Sequence, residues 1–217
     1  MEIINLGNHN SILNNFIREI RDVNIQSDSM RFRRNIERIG EIFSYEISKR
    51  IQYYQEDINT PLGVSKENII NQYPILATIL RAGIPFHQGF LNYFDHSSNA
   101  FISAYRKHHP EGGFSIEVEY LSTPDINNNT IILCDPMLAT GESMKLALDA
   151  LLTKGTPKHI HIASIISSQQ GVDYIQNIEF SNQCTLWVAA IDKNMTDQSY
   201  IIPGLGDAGD LSYGKKL

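Results

Sequence analysis

Two segments of the chain combine residues whose types and spacing suit ligand binding, the first of them a phosphate. The first reads Asp135-Pro136-Met137-Leu138-Ala139-Thr140-Gly141-Glu142-Ser143. It directly follows the apolar run Thr130-Ile131-Ile132-Leu133-Cys134 and precedes a helical pattern. A short turn containing glycine lets consecutive backbone N–H groups converge, and a helix start adds the positive end of its dipole. Thr140 and Ser143 contribute hydroxyl donors. The chemistry this favours is anion binding. An ordinary strand-to-helix turn with a capping Thr or Ser has the same signature, so the segment alone leaves both readings open. No Gly-Lys-Ser/Thr follows, which separates it from the nucleoside-triphosphate loop.

The second segment is Tyr200-Ile201-Ile202-Pro203-Gly204-Leu205-Gly206-Asp207-Ala208-Gly209-Asp210. Its three glycines and proline predict neither a helix nor a regular sheet. Such a loop brings bare backbone N–H and C=O groups close to a flat ligand, and its aspartates suit a magnesium ion. The plain alternative is a flexible C-terminal loop. Arg81, in Leu80-Arg81-Ala82-Gly83, and Arg106, after Tyr105, each stand where a predicted strand gives way to a loop. One arginine in such a place is ordinarily a surface ion-pair residue. Two at the sheet edge that also carries a phosphate cradle predict a diphosphate site.

The elements that must position these residues are legible in the apolar periodicity. Ile12, Leu13, Phe16, Ile17 and Ile20 predict one amphipathic helix, and Phe32, Ile36, Ile39, Phe43 and Ile47 a second, with Ser27 or Asp28 as its cap. Around Thr60-Pro61-Leu62-Gly63 the pattern breaks, and an irregular or hairpin-like arm is expected over residues 52–71. Tyr53 and Tyr54 are expected to pack within it. Short apolar runs at 75–80, 100–105, 131–134, 159–166 and 185–191 read as strands, with helices expected at 146–152 and 169–178. That alternation implies parallel pairing in a sheet covered on both faces. Alternating residues over 114–121 predict an antiparallel ribbon. The expected organisation is one domain over 1–217, with a helical part at 1–51, an arm at 52–73 and an α/β core at 74–217.

Bulk properties narrow the functional classes. The 217 residues carry 42% hydrophobic side chains and a formal net charge of −6. No global basic field exists to attract nucleic acid, so neither nucleic acid nor a membrane is an expected partner. The longest apolar runs are strand-sized, and the first residues show no basic leader ahead of an apolar stretch, so a cytoplasmic protein is expected. Cys134 and Cys184 lie in apolar stretches and read as buried thiols. His159 and His161 share one face of a predicted strand, without an evident third metal ligand.

With these residues in view, the chain resembles the uracil phosphoribosyltransferases along nearly its whole length. Arg31-Phe32-Arg33, Tyr45-Glu46, the Ile-Leu-Arg-Ala-Gly run, the Asp-Pro-Met-Leu-Ala-Thr-Gly segment and the Tyr200 to Asp210 segment carry the resemblance. It implies the type I phosphoribosyltransferase fold: a central, mainly parallel sheet flanked by helices, a helical N-terminal attachment and a C-terminal base-recognition loop. The implied substrates are uracil and 5-phosphoribosyl 1-diphosphate, the product is UMP with pyrophosphate, and the ion is Mg2+. A homodimer or higher homo-oligomer and activation by GTP also fall within what the resemblance allows.

The resemblance further implies residue roles. Asp135, with Pro136 and Met137 beside it, contacts the ribose hydroxyls, and Leu138, Ala139, Thr140, Gly141, Glu142 and Ser143 wrap the 5-phosphate. Arg81 and Arg106 neutralise the diphosphate. Ile201, Gly206, Asp207 and Ala208 hold uracil through backbone hydrogen bonds, with Asp207 also linked to the sugar diphosphate through magnesium. Three departures from the family pattern stand out. Glu142 replaces a small residue and is expected to point to solvent. Ser167-Ser168-Gln169-Gln170-Gly171 replaces a stretch that usually reads Ala-Ala-Pro-Glu-Gly. Lys107-His108-His109-Pro110 replaces a more acidic run. Glu142 and Gln169-Gln170 are the support for one rival reading, a nucleotide-binding regulator of weak activity. A second rival, an RNA-binding attenuator, is opposed by the acidic balance.

Overall fold

The structure is a computed structural model that describes residues 1–108, 114–179 and 183–215, with the side chains of 104–118 outside that description. Expectations about the side chains of Arg106, Lys107 and His108, and about His109 and Pro110, therefore fall outside the described residues.

The chain opens with strand β1 (Glu2–Asn5), helix α1 (Leu13–Arg21) and the long helix α2 (Ser29–Ser48). Asp28 caps α2, its carboxylate accepting the Arg31 N–H at 3.0 Å. A hairpin follows, β2 (Tyr53–Thr60) and β3 (Gly63–Ile70), and then β4 (Ile75–Leu80), α3 (Ile84–Leu91), β5 (Asn99–His108) and β6 (Phe114–Ser122). The next elements are β7 (Thr130–Cys134), β8 (Met137–Leu138), α4 (Glu142–Leu152), β9 (His159–Ser168), α5 (Gln169–Gln176) and β10 (Gln183–Asp192). The chain closes with β11 (Asn194–Met195), β12 (Ile201–Ile202) and α6 (Ala208–Tyr213).

Among the described residues, eight strands share one sheet in the order β1-β10-β9-β7-β4-β5-β6, with β8 joining β9. All pairs are parallel except β5 with β6. The chain runs outward from β4 to β5 and β6, and then crosses back to β7 on the other side of β4. Strand order therefore reverses between β4 and β7. In an open α/β sheet, the crevice at the carboxyl ends of two such strands is where ligands bind.

Apolar residues cover both faces, as the continuous strand runs require. On one side α1, α2 and α3 bury Ile20, Phe32, Ile36, Phe43, Phe86 and Phe90. Phe43 and Phe86 meet edge to face with ring centroids 5.2 Å apart. On the other side α4 and α5 bury Met144, Leu148, Leu151, Val172 and Ile175 against Ile131, Leu133, Ile160 and Ile162. Cys134 and Cys184 are both buried.

Several expectations need correction. The 200–210 segment is not wholly irregular: Ile201–Ile202 pairs with Asn194–Met195, and Asp207 caps a short helix, its carboxylate accepting the Asp210 N–H at 2.9 Å. Local composition disfavours both elements, and the packing of Ile201, Leu205 and Ala208 into the core overrides it. Helix α3 and strand β1 were not anticipated. The arm takes the hairpin form, one of the two expected, and Tyr53 and Tyr54 are each 45% exposed, the Tyr53 hydroxyl donating to the Ser48 carbonyl at 3.2 Å and the Tyr54 hydroxyl to the Glu56 carboxylate at 2.7 Å.

His159 and His161 do share a face, with ring centroids 4.3 Å apart. Trp187 Nε1–H donates to His161 Nδ1 at 3.1 Å, which fixes the proton-free nitrogen. Burial, helped by His159 and Arg50, pushes the His161 imidazole down to about 3 from 6.5. The unfolded chain takes up this proton near pH 6.5 and the folded one only near pH 3, so acid favours unfolding. His161 is therefore expected to cost up to about 1.4 kcal/mol of stability per pH unit as pH falls from 6.5 to 5. Thermal unfolding across that window, compared with His161→Gln, checks this; an equal slope in the variant removes His161 as the cause.

Candidate active site

The anion cradle grows out of β7. Past Cys134 the chain leaves the sheet, and the Asp135 N–H donates to the Ala163 carbonyl at 3.1 Å. The Pro136 carbonyl accepts from Ile165 and Ile166 at 3.1 and 3.0 Å, and β8 then rejoins β9 through Met137 and Leu138. Ala139 and Thr140 form the turn, and Gly141 ends it at φ +87°, a left-handed conformation that glycine adopts without steric cost. Helix α4 starts immediately afterwards, so its N-terminal N–H groups and dipole face the turn, with the Glu142 N–H donating to Thr140 Oγ1 at 3.4 Å.

Helix α5 buttresses this turn from behind. Ser168 Oγ accepts the Gly171 N–H at 2.8 Å, capping α5, and donates to the Ala139 carbonyl at 2.5 Å. Gly171 comes so close that a Cβ there would lie 2.4 Å from the Ala139 oxygen and 2.8 Å from that of Leu138. The serine in Ser167-Ser168-Gln169-Gln170 thus tethers the cradle, a role its position in the sequence did not reveal.

A cleft of about 190 Å³ opens between the cradle and the C-terminal segment. Asp135, Met137, Leu138, Ala139, Thr140, Gly141 and Ser143 line one side, and Ser199, Tyr200, Gly206, Asp207, Ala208 and Gly209 the other. A second hollow of about 130 Å³ adjoins it, where Arg81 meets Asp135, Ser143, Asp207 and Gly209. Arg81 lies just past the end of β4 and Asp135 just past β7, so both sit at the point of reversal. Arg81 Nη2 donates to the Gly214 carbonyl at 3.3 Å and lies 3.7 Å from the Asp210 carboxylate. Arg33 Nη1 donates to the Ser212 carbonyl at 2.6 Å, which ties α6 to α2.

Of the residues singled out in the sequence, Arg81, Asp135, Met137, Leu138, Ala139, Thr140, Gly141, Ser143, Gly206, Asp207 and Ala208 come together here. Pro136 is buried and Ile201 is 4% exposed, and neither lines the cleft. Glu142 is exposed and also lies outside the lining. The Arg106 backbone extends β5 three residues past Ser103, which pairs with Leu80 at the end of β4. Ala82 and Gly209 lay within the motifs and carried a signal. Ser199, which lines the cleft at φ +64°, carried none.

A strand–turn–helix segment and an arginine at the switch point of a mainly parallel sheet, faced by a glycine-rich loop, are the arrangement expected of the type I phosphoribosyltransferase fold. The family model described as Uracil phosphoribosyltransferase matches residues 8–215. A uracil phosphoribosyltransferase from Porphyromonas gingivalis is 58% identical over 217 residues, covering 100% of both chains. One from Pyrococcus furiosus is 34% identical over 202 residues, covering 92% of this chain and 84% of that one. The solved AQ2163 protein from Aquifex aeolicus superimposes with a TM-score of 0.85 at 26% identity, covering 98% of each chain. The chain belongs to the uracil phosphoribosyltransferase family.

Proposed function

We propose that the cleft joins uracil to 5-phosphoribosyl 1-diphosphate, forming UMP and pyrophosphate, within one domain spanning residues 1–217. The observation that carries this is the meeting of the 135–143 cradle, Arg81 and the 206–209 loop around one cleft. In this reading the α4 N-terminus and the Thr140 and Ser143 hydroxyls hold the 5-phosphate, and Asp135 holds the ribose hydroxyls. Gly206 to Ala208 present peptide groups to the alternating carbonyl and N–H edge of uracil. Uracil N1 forms a bond to the anomeric carbon as the bond from that carbon to the diphosphate oxygen breaks, and the proton that N1 carried is released to solvent. The electron pair leaves with pyrophosphate, whose growing charge Arg81 faces, with Arg106 proposed beside it.

The donor set fits a magnesium ion. Asp135 and Asp207 carboxylates line the hollow beside Arg81, and no cluster of three or more His, Cys, Asp or Glu exists among the described residues. Mg2+ favours such sites, keeping waters and taking most other ligands from substrate phosphates. When bound, it would supply positive charge to the diphosphate, and Asp207 would be linked to that group through it. Homo-oligomer formation through the exposed hairpin and a cytoplasmic location accord with this reading; GTP activation has no specific support. No helix among the described residues is long and apolar enough to cross a membrane.

Asp207→Asn tests the assignment. The amide still caps α6 but has lost its charge, so the magnesium concentration giving half-maximal rate is expected to rise about 10-fold. Titrating magnesium against pyrophosphate release reads this directly, and an unchanged half-maximal concentration takes Asp207 out of the site.

A further inference from the structure

Behind the glycine-rich loop, outside the cleft, one ion pair grips a single residue of the loop. Arg21 is the last residue of α1 and Asp192 the last of β10. Arg21 Nη1 donates to Asp192 Oδ2 at 2.7 Å and Nη2 to Oδ1 at 2.8 Å, a two-pronged pair whose side chains are only 21% and 9% exposed. The same two groups take both polar backbone atoms of Gly204. Its N–H donates to Asp192 Oδ2 at 3.0 Å, and its carbonyl accepts from Arg21 Nη1 at 2.8 Å. Gly204 sits at φ +55°, two residues before Gly206, and the intervening Leu205 is 4% exposed.

Desolvating an arginine and an aspartate is costly, and a well-packed apolar pair is often as stabilising. A pair of this kind adds something that apolar contacts lack, a fixed direction. Two planar groups locked together leave Gly204 no freedom to shift or rotate. A base read by peptide groups needs peptide planes held within about half an ångström. Neither Arg21 nor Asp192 lines the cleft, so any effect they have on substrate passes through the loop.

We infer that Arg21 and Asp192 are positioning residues for the nucleobase: they set the register of the loop from Gly204 to Gly206 and thereby govern uracil affinity, while Asp207, held by its own cap bond to the Asp210 N–H, keeps its place on the sugar-diphosphate side. This rests on the proposed assignment of that loop to the base. The test measures kcat and both KM values by pyrophosphate release in Asp192→Asn, Arg21→Lys and Arg21→Ala, with thermal midpoints. Asp192→Asn keeps the shape and loses the charge, while Arg21→Lys keeps the charge and loses the fork. The uracil KM is expected to rise about 10- to 100-fold in Asp192→Asn, the range a lost charged hydrogen bond commands, with the sugar-diphosphate KM within about twofold. Arg21→Lys should fall between wild type and Arg21→Ala. If Arg21→Ala does not fold, the two conservative variants carry the test.

An unchanged uracil KM in a folded variant overturns the clamp. So does an equal rise of both KM values with a lowered thermal midpoint, which marks a merely structural pair. Gly206→Ala separately probes the loop inside the cleft, where φ is +94° and a Cβ meets nothing within 4 Å. An unchanged uracil KM in that variant defeats the base assignment itself, whatever the clamp variants do.

Discussion

Arg81→Ala is expected to lower turnover about 100- to 1,000-fold, the loss typical of removing one preorganised donor from a developing negative charge. Arg81 follows directly on β4, and Thr78 of that strand pairs with Cys134 of β7, so the guanidinium and Asp135 flank the crevice where strand order reverses. Its head is held near Asp210 and the Gly214 carbonyl, which limits the reorganisation needed as charge builds on the leaving group. The side chain is 42% exposed, so its loss opens no core cavity and the thermal midpoint should barely move. Pyrophosphate release at saturating substrates is the measurement. Turnover near wild type would remove Arg81 from the leaving-group role. Arg81→Lys should recover part of the rate, since charge remains but the fork that matches phosphate oxygens is lost.

Gly171→Ala is expected to raise the sugar-diphosphate KM about 10- to 100-fold and to cost about 1–3 kcal/mol of stability. The added Cβ would lie within 3.0 Å of two carbonyl oxygens, those of Ala139 and Leu138, and both belong to backbone that cannot swing aside. Either α5 retreats or the cradle moves. In both cases the Ser168 bond to Ala139 stretches and the turn before α4 loses its support. Displacing groups that position a substrate by as little as about 1 Å can cost about 100-fold. Ser168→Ala removes the tether without adding bulk, so its effect should be smaller but in the same direction. Steady-state kinetics with varied sugar diphosphate separate the cases. A Gly171→Ala enzyme with an unchanged KM would mean that the cradle keeps its shape without α5.

The two predictions together bear on the departures from the family pattern. Glu142 stands at the start of α4, where a carboxylate suits the helix dipole, and it is exposed and outside the cleft lining. Ser168 adds a bond within the cradle's support, rather than subtracting one. Neither observation lends weight to the reading of a weakly active regulator.

The sequence by itself determined the alternation of strands and helices, the cradle turn, the arginine after β4 and the glycine-rich segment that faces them. Those features are local: periodicity, a glycine in a turn and a motif's order all act over a few residues. Only the tertiary structure decided that the 200–210 segment contains one strand of a short pair and begins a helix, because core burial of Ile201, Leu205 and Ala208 stabilises what composition disfavours. Only it brought Arg21 and Asp192 to Gly204, partners 183 and 12 positions away in the chain. Such contacts leave no trace in a window of neighbouring residues. Where strand order reverses is likewise set by how β7 crosses back beside β4, and that crossing joins Arg81 to Asp135 across 54 positions of sequence separation by the difference of their numbers. Chemistry was written in short runs of residues; the packing of distant elements made those runs into one site.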